Sequence, residues 1–447
     1  MNDKLSILQV VHGFPPREQA GAELHCFFLA RELADRGHRV AAFSRRESRG
    51  VPVGAVAREE YRGIPIDRVN RPMDRLTSLV EGCFSPAVRR AFIARLAEGF
   101  QAVHFHHLYG LSADLAAAAR AAGALVLFTL HDFWFLCPRG QMFDPRGGGR
   151  LCPAIDPDRC RRCTAKKRLR FALNAFTGGA GRGLFPNPAR GVGRGARYLA
   201  RNLHTRPVRD RLETLVGAVN QADIILSPSR FLLDLYRRHG LSPERSRWFE
   251  NGMGDSWAAG LPERREPGRP IRFGFIGSFL HSKGVELLVD AYQEMPRGKG
   301  ELHLHGTSPW DGGDYAAFLQ ARNRHEDVHF HGPFPHERLP GIMAGLDVLV
   351  VPSRWFENAP LTLDEASLAR IPVIATGHGG MAEAVDRRRN GLLFTPDDPA
   401  DLRRALLRFC DEPELWHRLR EPAEPVKSMA EQAAKVEEMI RRGLAER

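Results

Sequence analysis

Short apolar runs of strand length alternate with amphipathic stretches of helical period along most of this 447-residue chain. Leu5–Val11 is the first run. A loop holding Pro15 and Pro16 follows. From Gly21 to Arg36, Leu24, Phe27, Phe28, Ala30, Leu33 and Ala34 recur on one helical face. Gly37 stands where a helix C′ glycine belongs, and Arg39–Phe43 is the next strand, which completes a βαβ unit. Runs at Gln101–Phe105, Leu125–Leu130 and Asp223–Ser227 alternate with alanine-rich helices, the pattern of a parallel sheet covered on both faces.

A second series starts after Leu261–Pro270, a polar, charged, proline-rich stretch that reads as a linker. Its strands are expected at Ile271–Ile276, Glu301–His305, Val328–His331, Val348–Val351, Val373–Ala375 and Leu392–Phe394, with helices at Val285–Met295 and Leu361–Arg370 among those between them. The expected fold class is therefore α/β, with two doubly wound parallel-sheet domains. The first covers residues 1–252, the linker 253–267 and the second 268–424. Ligands of such folds lie at the C-terminal ends of strands and often between domains. Residues 137–211 break the alternation and read as an insertion.

Composition changes little in this picture. The chain is 43% hydrophobic and 26% charged, ordinary for a globular protein and unlike a disordered or fibrous one. No apolar run nears the ~18 residues of a membrane span, and the N-terminus enters a strand without the apolar core of an export signal. Seven cysteines, an odd count, argue against a disulfide framework. A cytoplasmic protein is expected.

Charge is more informative. Residues 161–211 hold fourteen Lys and Arg against the single acid Asp210, enough to account for the whole formal excess of +12. A near-neutral body with one basic segment is not a uniformly basic nucleic-acid binder. Phe171, Leu173, Phe176, Leu184 and Phe185 interleave with the charge. The segment reads either as a dock for an anionic membrane surface or as a solvated arginine-rich surface.

The densest chemistry lies in Val350–Glu383, VVPSRWFENAPLTLDEASLARIPVIATGHGGMAE. A strand ends at Val351 and Pro360 suits the first turn of a helix. The free N–H groups of Leu361 and Thr362 then face the loop and suit a phosphate. Glu357 and Glu365 are spaced to meet one ligand, and acids that accept from vicinal hydroxyls suit ribose and hexose rings. Taken as a bare pair they also fit a loop acid and a solvated helix acid.

In context, Glu-x7-Glu after V-P-S, followed by P-V-I-A-T and G-G-x-x-E, resembles glycosyltransferase family 4 of the GT-B enzymes. The other landmarks occur in order: Pro15, Pro16, Gly21–Glu23, Leu29–His38, Val103–His106, Thr129–His131, Ser227–Ser229, Asn251-Gly252, Gly277–Gly284, Ala344–Ser353 and Asn390–Phe394.

The resemblance implies retaining, metal-independent transfer of a hexose-type sugar from a UDP- or GDP-sugar to a glycan or lipid-linked acceptor. It points to bacterial surface-polysaccharide assembly, and the basic segment 161–211, read as a membrane dock, would make the enzyme peripheral on the inner membrane leaflet. The two domains would face an interdomain cleft, and the last helix, in 425–447, would cross back to the first. Glu365 would hold the ribose and Glu357 the sugar. Backbone around Asn358, Ala359, Pro360, Leu361 and Thr362 would hold the diphosphate, with Lys283 supplying charge to the leaving group. His131 would face the donor sugar, Gly21 would let backbone approach it, and His106 and Asp132 would meet the acceptor.

One position departs. Where the family often has Arg after Gly277, this chain has Ser278. Arg354 and Arg272 are the nearby candidates to replace it. Ser278 is also the best support for a catalytically silent scaffold; a nucleotide-sugar epimerase is the other alternative.

Two groups suggest metals. Asp156-Pro157-Asp158 has a DxD spacing but lies in a turn-rich loop of the wrong half. Cys137, Cys152, Cys160 and Cys163 fit a structural zinc site or unligated thiols, only the CxxC pair being diagnostic. A metal at His104 and His106 needs further ligands, which that segment does not show.

Overall fold

The computed structural model describes residues 4–72, 79–164, 206–254, 260–261, 266–308 and 313–447. Two units emerge. One joins Met1–Pro228, Leu232–Glu250 and Glu431–Arg447; the other joins Ser229–Phe231 and Asn251–Ala430. Most of the basic segment, its interleaved Phe and Leu residues and parts of the expected linker lie outside the described residues.

In the first unit the strands are β1 (Ser6–Val11), β2 (Arg39–Arg46), β3 (Val56–Tyr61), β4 (Ile64–Asn70), β5 (Ala102–Phe105) and β6 (Leu125–Thr129). The small hairpin β7 (Phe143–Asp144) and β8 (Arg150–Leu151) follows, then β9 (Ile224–Ser227) and β10 (Ser246–Trp248). The main sheet runs β10-β9-β6-β5-β1-β2-β4-β3, parallel except for the β3–β4 hairpin. Central strands such as β5 and β6 are buried along their full length, so they read as continuous apolar runs rather than alternating ones. The chain winds from β1 through β2 to β4, then returns to place β5 on the other side of β1. The topological switch lies between β1 and β5.

The hairpin β3–β4 did not register in the apolar pattern. β3 is an edge strand of sequence VAREEY whose side chains alternate between exposed and half-buried. Arg62 and Gly63 turn it, both at positive φ. Its contribution lies in Arg68 of β4, which is fully buried. That guanidinium donates to the Phe14 and Pro15 carbonyls at 2.8 and 2.9 Å and to Glu59 at 2.7 Å. It thereby fixes the Pro-rich loop after β1.

The second unit is a six-stranded sheet: β11 (Ile271–Ile276), β12 (Gly300–His305), β13 (Val328–Gly332), β14 (Val348–Val351), β15 (Val373–Thr376) and β16 (Gly391–Phe394). Every pairing is parallel, in the order β13-β12-β11-β14-β15-β16. Strand alternation divides the core between two faces. Val348, Val350 and Ile374 join Phe273, Leu302, Leu304 and Leu406 on one; Leu349, Val351, Val373 and Ala375 join Met343, Leu363 and Ala366 on the other. Here the switch falls between β11 and β14.

The last helix, Met429–Ala445, starts in the second unit, and from Glu431 onward it packs within the first. His25 is hydrogen-bonded to its Gln432 at 2.9 Å, and Glu437 pairs with Arg36 at 3.0 Å. No helix among the described residues is long and apolar enough to cross a membrane.

Candidate active site

Loops at the switch point of the second unit meet through backbone hydrogen bonds. Ser282 carbonyl accepts from Arg354 and Trp355 N–H at 2.9 and 3.3 Å. This close approach requires Gly284, which sits at φ +70°; a Cβ there would lie 1.9 Å from the Pro352 carbonyl oxygen. The loop after β11 is thus locked to the loop after β14, and Lys283 is delivered to Glu357.

The resulting cluster is compact. One carboxylate oxygen of Glu357 accepts from Lys283 Nζ at 2.6 Å, Trp355 Nε1 at 2.7 Å and Ser353 Oγ at 2.9 Å. Glu357 is buried, and Lys283 is partly open to solvent over the Trp355 ring. The helix Leu361–Leu368 begins directly after this loop. Pro360 is its N-cap rather than part of its first turn. First-turn N–H groups of an α-helix lack intrahelical partners, which is the position of Leu361 and Thr362 in this helix. Asn358 is buried and takes a hydrogen bond from Ser229 Oγ at 2.5 Å, Ser229–Phe231 being the short stretch that belongs to this unit.

Glu365 lies in the same helix and is 5% exposed. Burial and the neighbouring Asp364 push its carboxyl up to about 8. Asp364 itself is paired with the buried Arg388 at 2.5 Å. The two acids of the Glu-x7-Glu pair therefore differ in kind: Glu357 accepts three donors, whereas Glu365 is held where its charged form is disfavoured.

Gly380 closes the loop from behind. Its N–H donates to the Glu357 carbonyl at 2.9 Å, and a Cβ on it would lie 1.5 Å from the Asn358 carbonyl oxygen. Gly380→Ala is therefore expected to displace 357–359 and destabilise the protein by ~2–3 kcal/mol. Thermal melts with and without nucleotide check this: the variant melts lower and its nucleotide response falls.

Gly277 and Ser278 lie at the end of β11, on the same loop as Lys283. Arg354 donates to Asp397 at 2.5 Å and also contacts His281. Arg272 is placed differently from the reading that made it a phosphate candidate. It is the second residue of β11, at the end of the strand away from Gly277, and its backbone N–H donates to Asp347.

The first unit gathers histidines at its own switch point. His12 follows β1, His106 and His107 follow β5, and His131 follows β6. His106 Nδ1 is 3.0 Å from His131 Nε2, and the rings stack with centroids 5.2 Å apart. His106 Nε2 is 2.9 Å from Gln9 Oε1. His25, from the helix Gly21–Asp35, stands 5.1 Å from the His131 ring. Burial lowers all three imidazoles, His25 to about 4. His104 belongs to a different pair, its Nε2 hydrogen-bonded with Thr129 Oγ1 at 2.7 Å. Asp132 holds His107 at 3.3 Å and accepts the Trp134 N–H at 2.8 Å. Gly21 opens its helix.

Sequence reading singled out His106, His131 and Asp132 but missed His12, His25 and His107. Glu23, noted only as part of a landmark, pairs with His12 at 3.0 Å. Placement at consecutive strand ends was the available signal; His25 offered none, lying within a helix whose apolar face dominated its reading.

The four cysteines come near one another. Cys160 and Cys163 sit one turn apart on the helix 157–164, after the β7–β8 hairpin. Burial first, then neighbouring thiols, pushes Cys160 up to about 12; burial, then Asp144, does so for Cys163. All four are free thiols. Among the described residues, however, only His25, His106 and His131 bring three ligating atoms within 4.8 Å of one another. Arg211, counted with the basic surface segment, is a correction: it is 3% exposed and donates to the Trp134 carbonyl at 2.6 Å, its guanidinium over the Trp134 ring.

Comparison with known proteins now decides the family. Residues 20–165 match the model described as Glycosyltransferase Family 4, and residues 270–412 match Glycosyl transferases group 1. The chain belongs to the family 4 glycosyltransferases. A D-inositol 3-phosphate glycosyltransferase of Corynebacterium jeikeium is 34% identical over 154 residues, 32% of this chain and 36% of that protein. The chain spans about a third to a half of the length of the curated relatives it matches. Over the whole chain the fold matches GT-B structures. Sucrose-phosphate synthase from Thermosynechococcus elongatus superposes with TM-score 0.64 at 20% identity, covering 99% of this chain and 100% of its own. Anabaena HepE in complex with UDP and glucose gives 0.60 at 17% identity, covering 99% of each.

Proposed function

We propose that this family 4 glycosyltransferase moves a hexose-type sugar from a nucleotide-diphosphate donor to a glycan or lipid-linked acceptor, with retention, in cell-envelope polysaccharide assembly. The observation that carries this reading is the switch point of the second unit. There Lys283, Glu357 and the start of the helix Leu361–Leu368 converge, with Glu365 in the same helix.

The diphosphate binds the N–H groups of Leu361 and Thr362, as anions do at helix starts. Lys283 neutralises charge as the diphosphate leaves, which removes the need for a metal there. Glu357, fixed by Ser353 and Trp355, accepts from the sugar hydroxyls, and Glu365 accepts from the ribose. Within the first unit, His131 is the candidate for sugar contact, and His106 and Asp132 are the candidates for the acceptor. The basic segment 161–211, apart from the buried Arg211, supports docking on an anionic membrane, where each Lys or Arg near the surface adds about 1 kcal/mol.

Ser278 favours a second reading, a silent scaffold, because one phosphate contact of the family is missing and Arg354 is already bound to Asp397. Melting the protein with UDP, GDP and ADP separates the two. A ligand at ~100 times its dissociation constant stabilises by about 2.7 kcal/mol. Stabilisation by one nucleotide that disappears in Glu365→Gln supports the enzyme. No response to any nucleotide, with anionic vesicles still bound, supports the scaffold.

A further inference from the structure

The three histidines at the switch point of the first unit have more in common than a transferase contact requires. One nitrogen from each of His25, His106 and His131 lies within 4.8 Å of the others, although their sequence positions span 106 residues. Two of the rings are held from outside by carboxamides. Gln432 Oε1, at 2.9 Å, accepts from His25 Nε2–H, and Gln9 Oε1, at 2.9 Å, accepts from His106 Nε2–H. An amide oxygen cannot donate, so each bond fixes the proton on Nε2. The lone pair of both rings is then on Nδ1.

His25 Nδ1 is buried and has no hydrogen-bond partner among the described residues. His106 Nδ1 faces His131 Nε2 at 3.0 Å. Outer hydrogen bonds that set tautomer and ring direction are what metal-ligating histidines use.

We infer that His25, His106 and His131 form a trihistidine site for a divalent transition ion, Zn²⁺ in particular. Zinc takes imidazole nitrogens at about 2.0–2.1 Å, which sets ligand nitrogens roughly 3.3 Å apart in a tetrahedron. The observed spacing, from 3.0 Å to within 4.8 Å, reaches this by small ring movements. His25 and His106 are 3% and 0% exposed, while His131 is half-buried. The ion therefore enters from the His131 side, and the fourth position remains for water. Imidazole donors suit Zn²⁺, Cu²⁺ and Ni²⁺ and do not favour Mg²⁺ or Ca²⁺. The site is separate from the cysteine cluster; it shares His131 and His106 with the sugar and acceptor contacts proposed above, but binding of the ion needs neither nucleotide nor acceptor.

Co²⁺ is the probe, titrated into the full-length metal-free protein and read by visible absorption and by equilibrium dialysis. The expected result is one equivalent bound with a nitrogen- and oxygen-ligated spectrum and no thiolate-to-cobalt charge-transfer band. Cys160→Ser leaves this signal in place, and His25→Asn removes it. Gln432→Leu keeps all three ligands, guards against misfolding of the His25 variant, and weakens binding ten- to a hundredfold. Failure to bind Co²⁺, a thiolate spectrum alone, or a spectrum unmoved by both His25→Asn and Gln432→Leu overturns the assignment. Zn²⁺ competition then reports the affinity of the same site.

Discussion

Glu365→Gln is expected to melt above the wild type at pH 8 while losing its response to nucleotide. Burial and Asp364 hold this carboxyl at about 8 in the folded protein, against an ordinary value near 4.5. Between those values the unfolded chain ionises the group and the folded chain does not. The group's favourable contribution is thus complete below pH 4.5, falls as pH rises, and is fully lost above about 8. A glutamine does not titrate. Its own burial costs something, so the net gain at pH 8 is roughly 2–4 kcal/mol. Melts of both proteins from pH 4.5 to 8.5 check this. The curves should coincide most closely at the acid end and diverge as pH rises; parallel curves would show that Glu365 is not held neutral.

The same shift makes nucleotide binding release a proton. Vicinal ribose hydroxyls donate to a carboxylate and stabilise its charged form. Below pH 8 the wild type must therefore ionise Glu365 to bind, and its affinity falls by up to about tenfold per pH unit toward acid. Calorimetry at pH 7 in buffers of different ionisation enthalpy reads the proton directly. Release approaching one proton is expected from the wild type. The site thus exchanges stability for recognition: a group that penalises the fold at neutral pH is the one that the ligand's hydroxyls satisfy.

How far the sequence led depends on burial. β14 and β15 were legible almost to the residue because a strand covered on both faces is buried along its length and almost wholly apolar. β3 was not, because an edge strand needs no apolar run and its packing role passes to Arg68 on its partner. Arg211 counted as surface charge in a basic segment, since nothing in composition tells a solvated arginine from one stacked on Trp134. The site divides in the same way. Glu357 and Glu365 share one strand–loop–helix passage, so their spacing carries meaning. Lys283 and Glu357 are 74 positions apart, and only resemblance linked them. His25 and Gln432 are 407 apart, and no local pattern predicts that the last helix supplies the group that orients a histidine of the first.

Lys283→Met is expected to lower kcat by ~10²–10³ with intact folding, the scale of losing one preorganised donor to developing charge. In the resting protein this ammonium is bound to Glu357 at 2.6 Å, so the substitution removes two things at once. It removes the cation that meets the leaving diphosphate, and it leaves Glu357 with Trp355 and Ser353 as its remaining donors. Nucleotide binding separates these effects, because Glu357 itself meets the sugar and its substitution lowers activity in either case. If the lysine serves only to neutralise Glu357, Lys283→Met leaves the preference for nucleotide diphosphate over monophosphate unchanged. If it acts on the diphosphate, Lys283→Met weakens binding of the nucleotide diphosphate more than that of the monophosphate. The second outcome is expected, because Glu357 already accepts two neutral donors, whereas a departing diphosphate at this switch point has helix N–H groups and this one lysine to receive its charge. Retained binding discrimination between mono- and diphosphate in Lys283→Met would assign the lysine to Glu357 alone.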